Sequence, residues 1–187
     1  MMTTIFSQKI ETFNQTIENI KSEYIQKTEK PKTENIDKNK QKLTYSDGSY
    51  TIKIKVDDST YSETFSSKGR KIKTVEERKD YRSVERFNNI NGKDCKISEN
   101  RTYDDGSSVS TKYEYTTQGD LSKEITKSHD PNPENSYACY TTTVDYDCTN
   151  NNVKQTTKYA DGESHIKNYS SIDNYTKGMK DLTICEI

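Results

Sequence analysis

Residues 87–124 read FNNINGKDCKISENRTYDDGSSVSTKYEYTTQGDLSKE. Within this stretch the chain alternates, turns and alternates again. Cys95 and Ile97 share one strand face, and Val109, Thr111, Tyr113 and Tyr115 share another. Between them stands YDDG, whose Asp105-Gly106 pair supplies the positive φ that a tight hairpin needs. Asn-Gly at 91–92 and Gln-Gly at 118–119 mark the flanking turns. A period of two, Thr/Tyr/Ile/Val-rich strands and Gly turns together predict antiparallel hairpins.

The same punctuation returns on either side. Tyr45, Asp47 and Gly48 belong to YSDG, Tyr103, Asp105 and Gly106 to YDDG, and Tyr159, Asp161 and Gly162 to YADG. Each is expected to be a hairpin turn at a matching point of a degenerate repeat. Alternation is equally plain in Tyr50, Ile52, Ile54 and Val56, in Tyr61, Glu63 and Phe65, and in Tyr140, Thr142, Val144 and Tyr146. About ten strands are expected over residues 43–187. The segment HDPNPEN, 129–135, carries two prolines and reads as a longer loop.

The N-terminal residues obey a different period. Phe6, Ile10, Phe13, Ile17, Ile20 and Tyr24 step alternately by four and three, a heptad seam that predicts an amphipathic helix over 1–29. Pro31 stops it. Two uses of the seam stand open: docking on the apolar side of the chain's own sheet, or joining copies of the protein. Residues 30–42, KPKTENIDKNKQK, are polar and Lys-rich and read as a linker. The expected fold is therefore mainly β, a twisted antiparallel meander of tandem hairpins preceded by one helix.

Composition narrows the function. Only 28% of the 187 residues are hydrophobic, against roughly 45–50% apolar in ordinary domains. Tyr supplies 14 of them and Trp none, which suits a thin sheet with half-buried rings better than a thick core. The net charge is −1 and only five of the 29 basic residues are Arg. Both facts argue against a general grip on nucleic acid. The absence of a long apolar run excludes a membrane-spanning helix, and no secretory signal is visible at the start. A cytoplasmic location is expected, with virion association or non-classical export as the alternative.

Chemistry-bearing residues are sparse. Cys95, Cys139, Cys148 and Cys185 form no CxxC pair, so no zinc site is expected. They read as reduced thiols or, alternatively, as two bridges, one of them joining Cys139 to Cys148 across a hairpin. His129 and His165 stand outside any nucleophile signature. The acid pairs Asp57-Asp58 and Asp104-Asp105 suit turns. Asp145 and Asp147 share a face and are the one weak calcium candidate. No phosphate-binding Gly motif occurs. No catalytic residue, metal or cofactor is expected. Rows of Tyr and Thr on a flat sheet suit a sugar or peptide contact, or simply cross-strand ladders.

From residue 42 to about 170 the pattern of aromatic, turn, Gly, strand and YxDG resembles the YD or Rhs-type tandem hairpin repeats, and also repeats of the MORN and YwqK kinds. That resemblance implies hairpins stacked in a row with an interaction face. Shell formation and self-cleavage are not implied, because the chain is short and has no autoproteolytic region. The reading that follows is a non-enzymatic structural or protein-interaction protein of bacterial or phage origin. It would bind a protein partner through its sheet face or edge, with self-association through the helix as one of the two uses open to the seam. The alternative is a carbohydrate- or surface-binding module of a secreted or virion-associated appendage.

Overall fold

A computed structural model describes the backbone of residues 2–28 and 30–183 and the side chains of residues 13–28 and 30–177. Helix α1, Met2–Thr28, comes first. Twelve antiparallel strands follow in one open sheet whose spatial order is the sequence order. They are β1 Lys32–Asn35, β2 Lys40–Thr44, β3 Tyr50–Val56, β4 Ser59–Phe65, β5 Lys71–Glu77 and β6 Tyr81–Ile90. The remainder are β7 Lys93–Tyr103, β8 Ser108–Tyr115, β9 Leu121–His129, β10 Tyr140–Asp147, β11 Asn152–Tyr159 and β12 Ser164–Tyr169. A 3-10 turn, Pro133–Ala138, interrupts the β9–β10 connection, and a short helix α2, Ile172–Thr183, closes the described chain.

The hairpin reading is therefore right in kind, and two regions depart from it. Residues 30–42, expected as a linker, contain β1 and most of β2, paired from Lys32↔Thr44 to Asn35↔Gln41. Ladder bonds need no apolar side chains, so a polar hairpin at a sheet edge gives no alternating signal. The second departure is α2, which carries few apolar residues. Its start does hold a capping signature: the N–H of Asn174 donates to Ser171 Oγ at 3.0 Å.

Register sorts the side chains. Following paired residues from strand to strand, one row runs Lys42, Ile52, Glu63, Thr74, Glu85, Glu99, Thr111, Thr126, Thr142, Thr157 and His165. Successive side chains alternate across a strand, so the remaining positions follow from this row. Every Tyr and Phe of the twelve strands falls on its face, hereafter the aromatic face. The opposite face carries small and polar residues such as Thr51, Thr64 and Asn88, with Val84 among them.

The two helices cover opposite faces. Tyr175 of α2 packs on Val144 and Val153, with Tyr146, Tyr169 and Ile172 around them. Its ring meets those of Tyr146 and Tyr169 edge-on, with centroids 5.7 and 5.2 Å away. This is the chain's one cluster of buried apolar side chains among the described residues. Helix α1 lies on the other face over β6, above the small and polar residues.

Candidate interaction surfaces

The three YxDG turns share one backbone design. In each, the Gly N–H donates to the Tyr carbonyl, and the Tyr N–H donates to the carbonyl of the residue after Gly. The Asp carboxylate accepts the N–H of that same following residue: Asp47 from Ser49, Asp105 from Ser107, Asp161 from Glu163. Gly48, Gly106 and Gly162 take φ of 81°, 85° and 95°, the left-handed region that a Cβ disfavours. Two further turns, 66–70 and 116–120, repeat the backbone bonds without the Asp. There the hydroxyls of Ser66 and Thr116 accept the closing N–H instead. The sequence already signals these turns by Gly69 and Gly119, but not that they are the same turn.

A meander places successive turns on alternate sheet edges. YSDG joins β2 to β3, YDDG joins β7 to β8 and YADG joins β11 to β12. An odd number of strands separates the first from the second and an even number the second from the third. YSDG therefore lies on one edge and the other two on the opposite edge, so the three turns do not converge on one site.

Among the described residues, the first of them is hydrogen-bonded to α1. Ser22 Oγ donates to Asp47 Oδ2 at 2.8 Å and Gln26 Nε2 donates to Ser49 Oγ at 3.4 Å. Burial pushes the Asp47 carboxyl up, but the Ser49 and Ser22 hydroxyls and the Ser49 N–H outweigh it and hold the group below the usual carboxylate range. Farther along α1, Asn19 Nδ2 donates to the Phe87 carbonyl at 3.3 Å, and Thr16 Oγ1 accepts from Asn88 Nδ2 at 3.0 Å. Glu23 pairs with Arg86 at 3.1 Å and Glu18 with Lys68 at 2.9 Å.

The docked stripe of α1 is thus polar. Gln15 and Ser22 are both 5% exposed, and with Asn19 and Gln26 they step by four, three and four. The apolar seam has the same spacing and lies mostly on the solvent side of α1, with Ile20 at its flank lining a small cavity with Ile72, Phe87 and Ile97. Phe13, Ile20 and Tyr24 are 65%, 63% and 68% exposed, and Ile17 between them is half-buried. Docking of the seam on an apolar sheet face is not what the helix does. It lies on the polar face through its polar stripe. Phe6 and Ile10, the other seam positions, lie outside the residues whose side chains are described.

On the aromatic face, rings and charges interleave. Tyr50 and Phe65 stack at 4.9 Å with a 15° interplanar angle. Tyr81 meets Tyr103 at 6.1 Å, and Tyr140 meets Tyr159 at 6.2 Å. Cations sit over them: Lys42 at 4.7 Å from the Tyr50 centroid, Lys96 at 5.2 Å from Tyr113, Arg101 at 5.5 Å from Tyr81. Lys96 also pairs with Glu85 at 3.1 Å and Glu99 at 2.8 Å. Burial works against its charge, but the two carboxylates outweigh burial and push the ammonium upward. Farther along, Thr111 bonds Thr126 and Thr142 bonds Thr157, each at 3.0 Å. These are cross-strand ladders, and they leave a broad amphipathic surface.

The other sequence candidates disperse. Cys139 precedes β10 and Cys148 follows it, so a strand of about 8 residues, roughly 27 Å at 3.4 Å each, separates them. A bridge needs Cα atoms within about 7 Å, and the pairing across a hairpin is excluded. Both thiols are free, as is buried Cys95, while Cys185 lies outside the described residues. Asp145 pairs with Lys123 at 3.2 Å, and Asp147 caps its own turn through Asn150. No cluster able to hold a metal occurs among the described residues. His129 Nδ1 lies 3.9 Å from Cys139 Sγ, a proximity that ten residues of sequence separation concealed. The sulfur also accepts the Asp130 N–H at 3.3 Å. His165 stands at the far end of the aromatic face, edge-on to Tyr159 at 5.7 Å.

No family model matches the chain, and no curated protein matches it. Among the described residues no helix is long and apolar enough to cross a membrane.

Proposed function

We propose that this chain is a non-enzymatic structural and protein-interaction protein that joins copies of itself through α1 and offers its aromatic face to a partner protein. The observation that carries the reading is the orientation of α1. Its polar stripe is spent on the sheet, and Phe13, Ile20 and Tyr24 face water. A row of large apolar side chains at heptad spacing fits the holes of another heptad helix. A second copy of α1 carries such a seam by construction, so the occupant is the chain itself. Partner binding on the aromatic face is supported by the unequal use of the two sheet faces. Tyr and Phe accumulate on the face that α2 and not α1 covers, and rigid Tyr makes contact area at low entropy cost.

Light scattering on the full chain tests the assembly. The wild-type protein is expected above its monomer mass of 21.6 kDa at micromolar concentration. The double variant Ile20→Lys/Tyr24→Lys is expected at that mass with an unchanged circular dichroism spectrum. A wild-type chain that runs as a monomer at all accessible concentrations overturns the assembly.

A further inference from the structure

At the open end of the sheet the aromatic face carries a depression of about 360 Å³, within the roughly 300–1,000 Å³ of small-molecule sites. Gln155, Thr157 and Tyr159 line it from β11, and His165 and Lys167 from the edge strand β12. Pairing sets Thr157 opposite His165 and Gln155 opposite Lys167.

The lining is chemically one-sided. It holds N–H donors on three side chains, the rings of Tyr159 and His165 and no carboxylate. Gln155 Oε1 accepts from the Tyr169 hydroxyl at 3.2 Å, which leaves its amide N–H₂ for a ligand. Thr157 Oγ1 is held by Thr142. Lys167 makes no ion pair among the described residues, and Glu163 stands 3.9 Å from His165 Nε2. Tyr159 and His165 form a corner, their rings 82° apart. Lys167 projects from the next same-face position of β12, roughly 7 Å along the strand.

We propose that this depression binds an acidic disaccharide, one pyranose of which carries a carboxylate. One sugar ring lies against Tyr159, and the carboxylate of its neighbour reaches the Lys167 ammonium and the Gln155 amide. Register sets Tyr159 four positions from Gln155, the partner of Lys167, roughly 14 Å along the strands, a reach for two linked sugar rings and not for one. A neutral sugar leaves the donors without an anion, and a small carboxylate leaves the ring unused. The proposal is independent of assembly through α1, which lies on the other sheet face.

Saturation-transfer NMR and calorimetry on the full chain test it, with a uronic-acid disaccharide, the neutral disaccharide of the same linkage and acetate as probes. The uronate is expected to bind, and the neutral sugar and acetate each about tenfold more weakly, the worth of one charge-assisted contact. Lys167→Ala and Tyr159→Ala are each expected to weaken the uronate about tenfold, with the melting temperature reported alongside. Lys167 is an exposed edge residue, so its variant keeps the fold even if Tyr159→Ala does not. Equal binding of the neutral sugar or of acetate overturns the proposal. So does an unaffected Lys167→Ala, or no uronate binding at millimolar concentration.

Discussion

Ser22 on α1 and Asp47 in the first hairpin turn are joined by a 2.8 Å hydrogen bond, and this contact ties the helix to the sheet edge. The same carboxylate closes its own turn through the N–H and hydroxyl of Ser49, at 2.9 and 2.6 Å. One side chain thus both reverses the chain and docks the helix. In the other two YxDG turns the Asp carboxylate closes its own turn and has no helix partner among the described residues.

Ser22→Ala removes the docking bond and leaves the turn intact, so it is expected to cost about 1 kcal/mol. Asp47→Ala removes the docking bond and the two turn bonds and is expected to cost more. Urea denaturation followed by far-ultraviolet circular dichroism measures both. Equal costs would mean that Asp47 serves the helix and not the turn.

Acid should loosen the same point. The folded Asp47 carboxyl lies below its unfolded value, so its stabilisation is complete above about pH 4 and fades as pH falls through the folded pKa. The melting temperature of Asp47→Asn is therefore expected to lie below that of the wild type at pH 6, and the gap to narrow by pH 3. A gap independent of pH contradicts the assignment.

Glycine substitution separates strain from contact. At Gly48 an added Cβ meets Ser67 Cβ at 3.3 Å, whereas at Gly162 nothing lies within 4 Å. Gly162→Ala is expected to cost about 1 kcal/mol for its left-handed φ alone, and Gly48→Ala up to about 2 kcal/mol. Denaturant midpoints compare the two directly.

Tyr175 is the lid of the apolar cluster on β10–β12. Tyr175→Ala opens a cavity between Val144 and Val153 and is expected to cost about 3 kcal/mol. Helical signal from α2 should be lost with it. Tyr137, on the exposed 3-10 turn, is the control, and Tyr137→Ala is expected to leave the melting point unchanged.

The thiols should react in order of exposure. Cys148 is exposed, Cys139 half-buried and Cys95 buried, with burial pushing the Cys95 thiol up. Timed alkylation with peptide mapping is expected to label Cys148 first and Cys95 last. A peptide joining Cys139 to Cys148 in the native, non-reduced protein would contradict the strand between them.

How much of this was legible in the residues depends on whether the pattern is local. Asp-Gly and Asn-Gly turns and period-two strands are local, so the meander from β3 onward could be read directly. The heptad seam likewise predicted α1. The polar β1–β2 hairpin and the Ser171-capped α2 were not legible, since backbone pairing in one case and a cluster contributed by β10–β12 in the other hold them. The depression at β11–β12 was not legible either. Its lining comes from two strands whose facing residues register alone brings together.

The side on which α1 docks is the sharpest case. Gln15, Asn19, Ser22 and Gln26 repeat with the same spacing as Phe13, Ile17, Ile20 and Tyr24, so one helix offers two usable stripes. By itself, the sequence determined α1, the strands from β3 onward and the hairpin turns, because their rules act within a few residues. The tertiary structure alone decided which helix stripe meets the sheet, which edge each YxDG turn occupies and which face gathers the aromatics. Those follow from the register accumulated across twelve strands, and no window of sequence contains it.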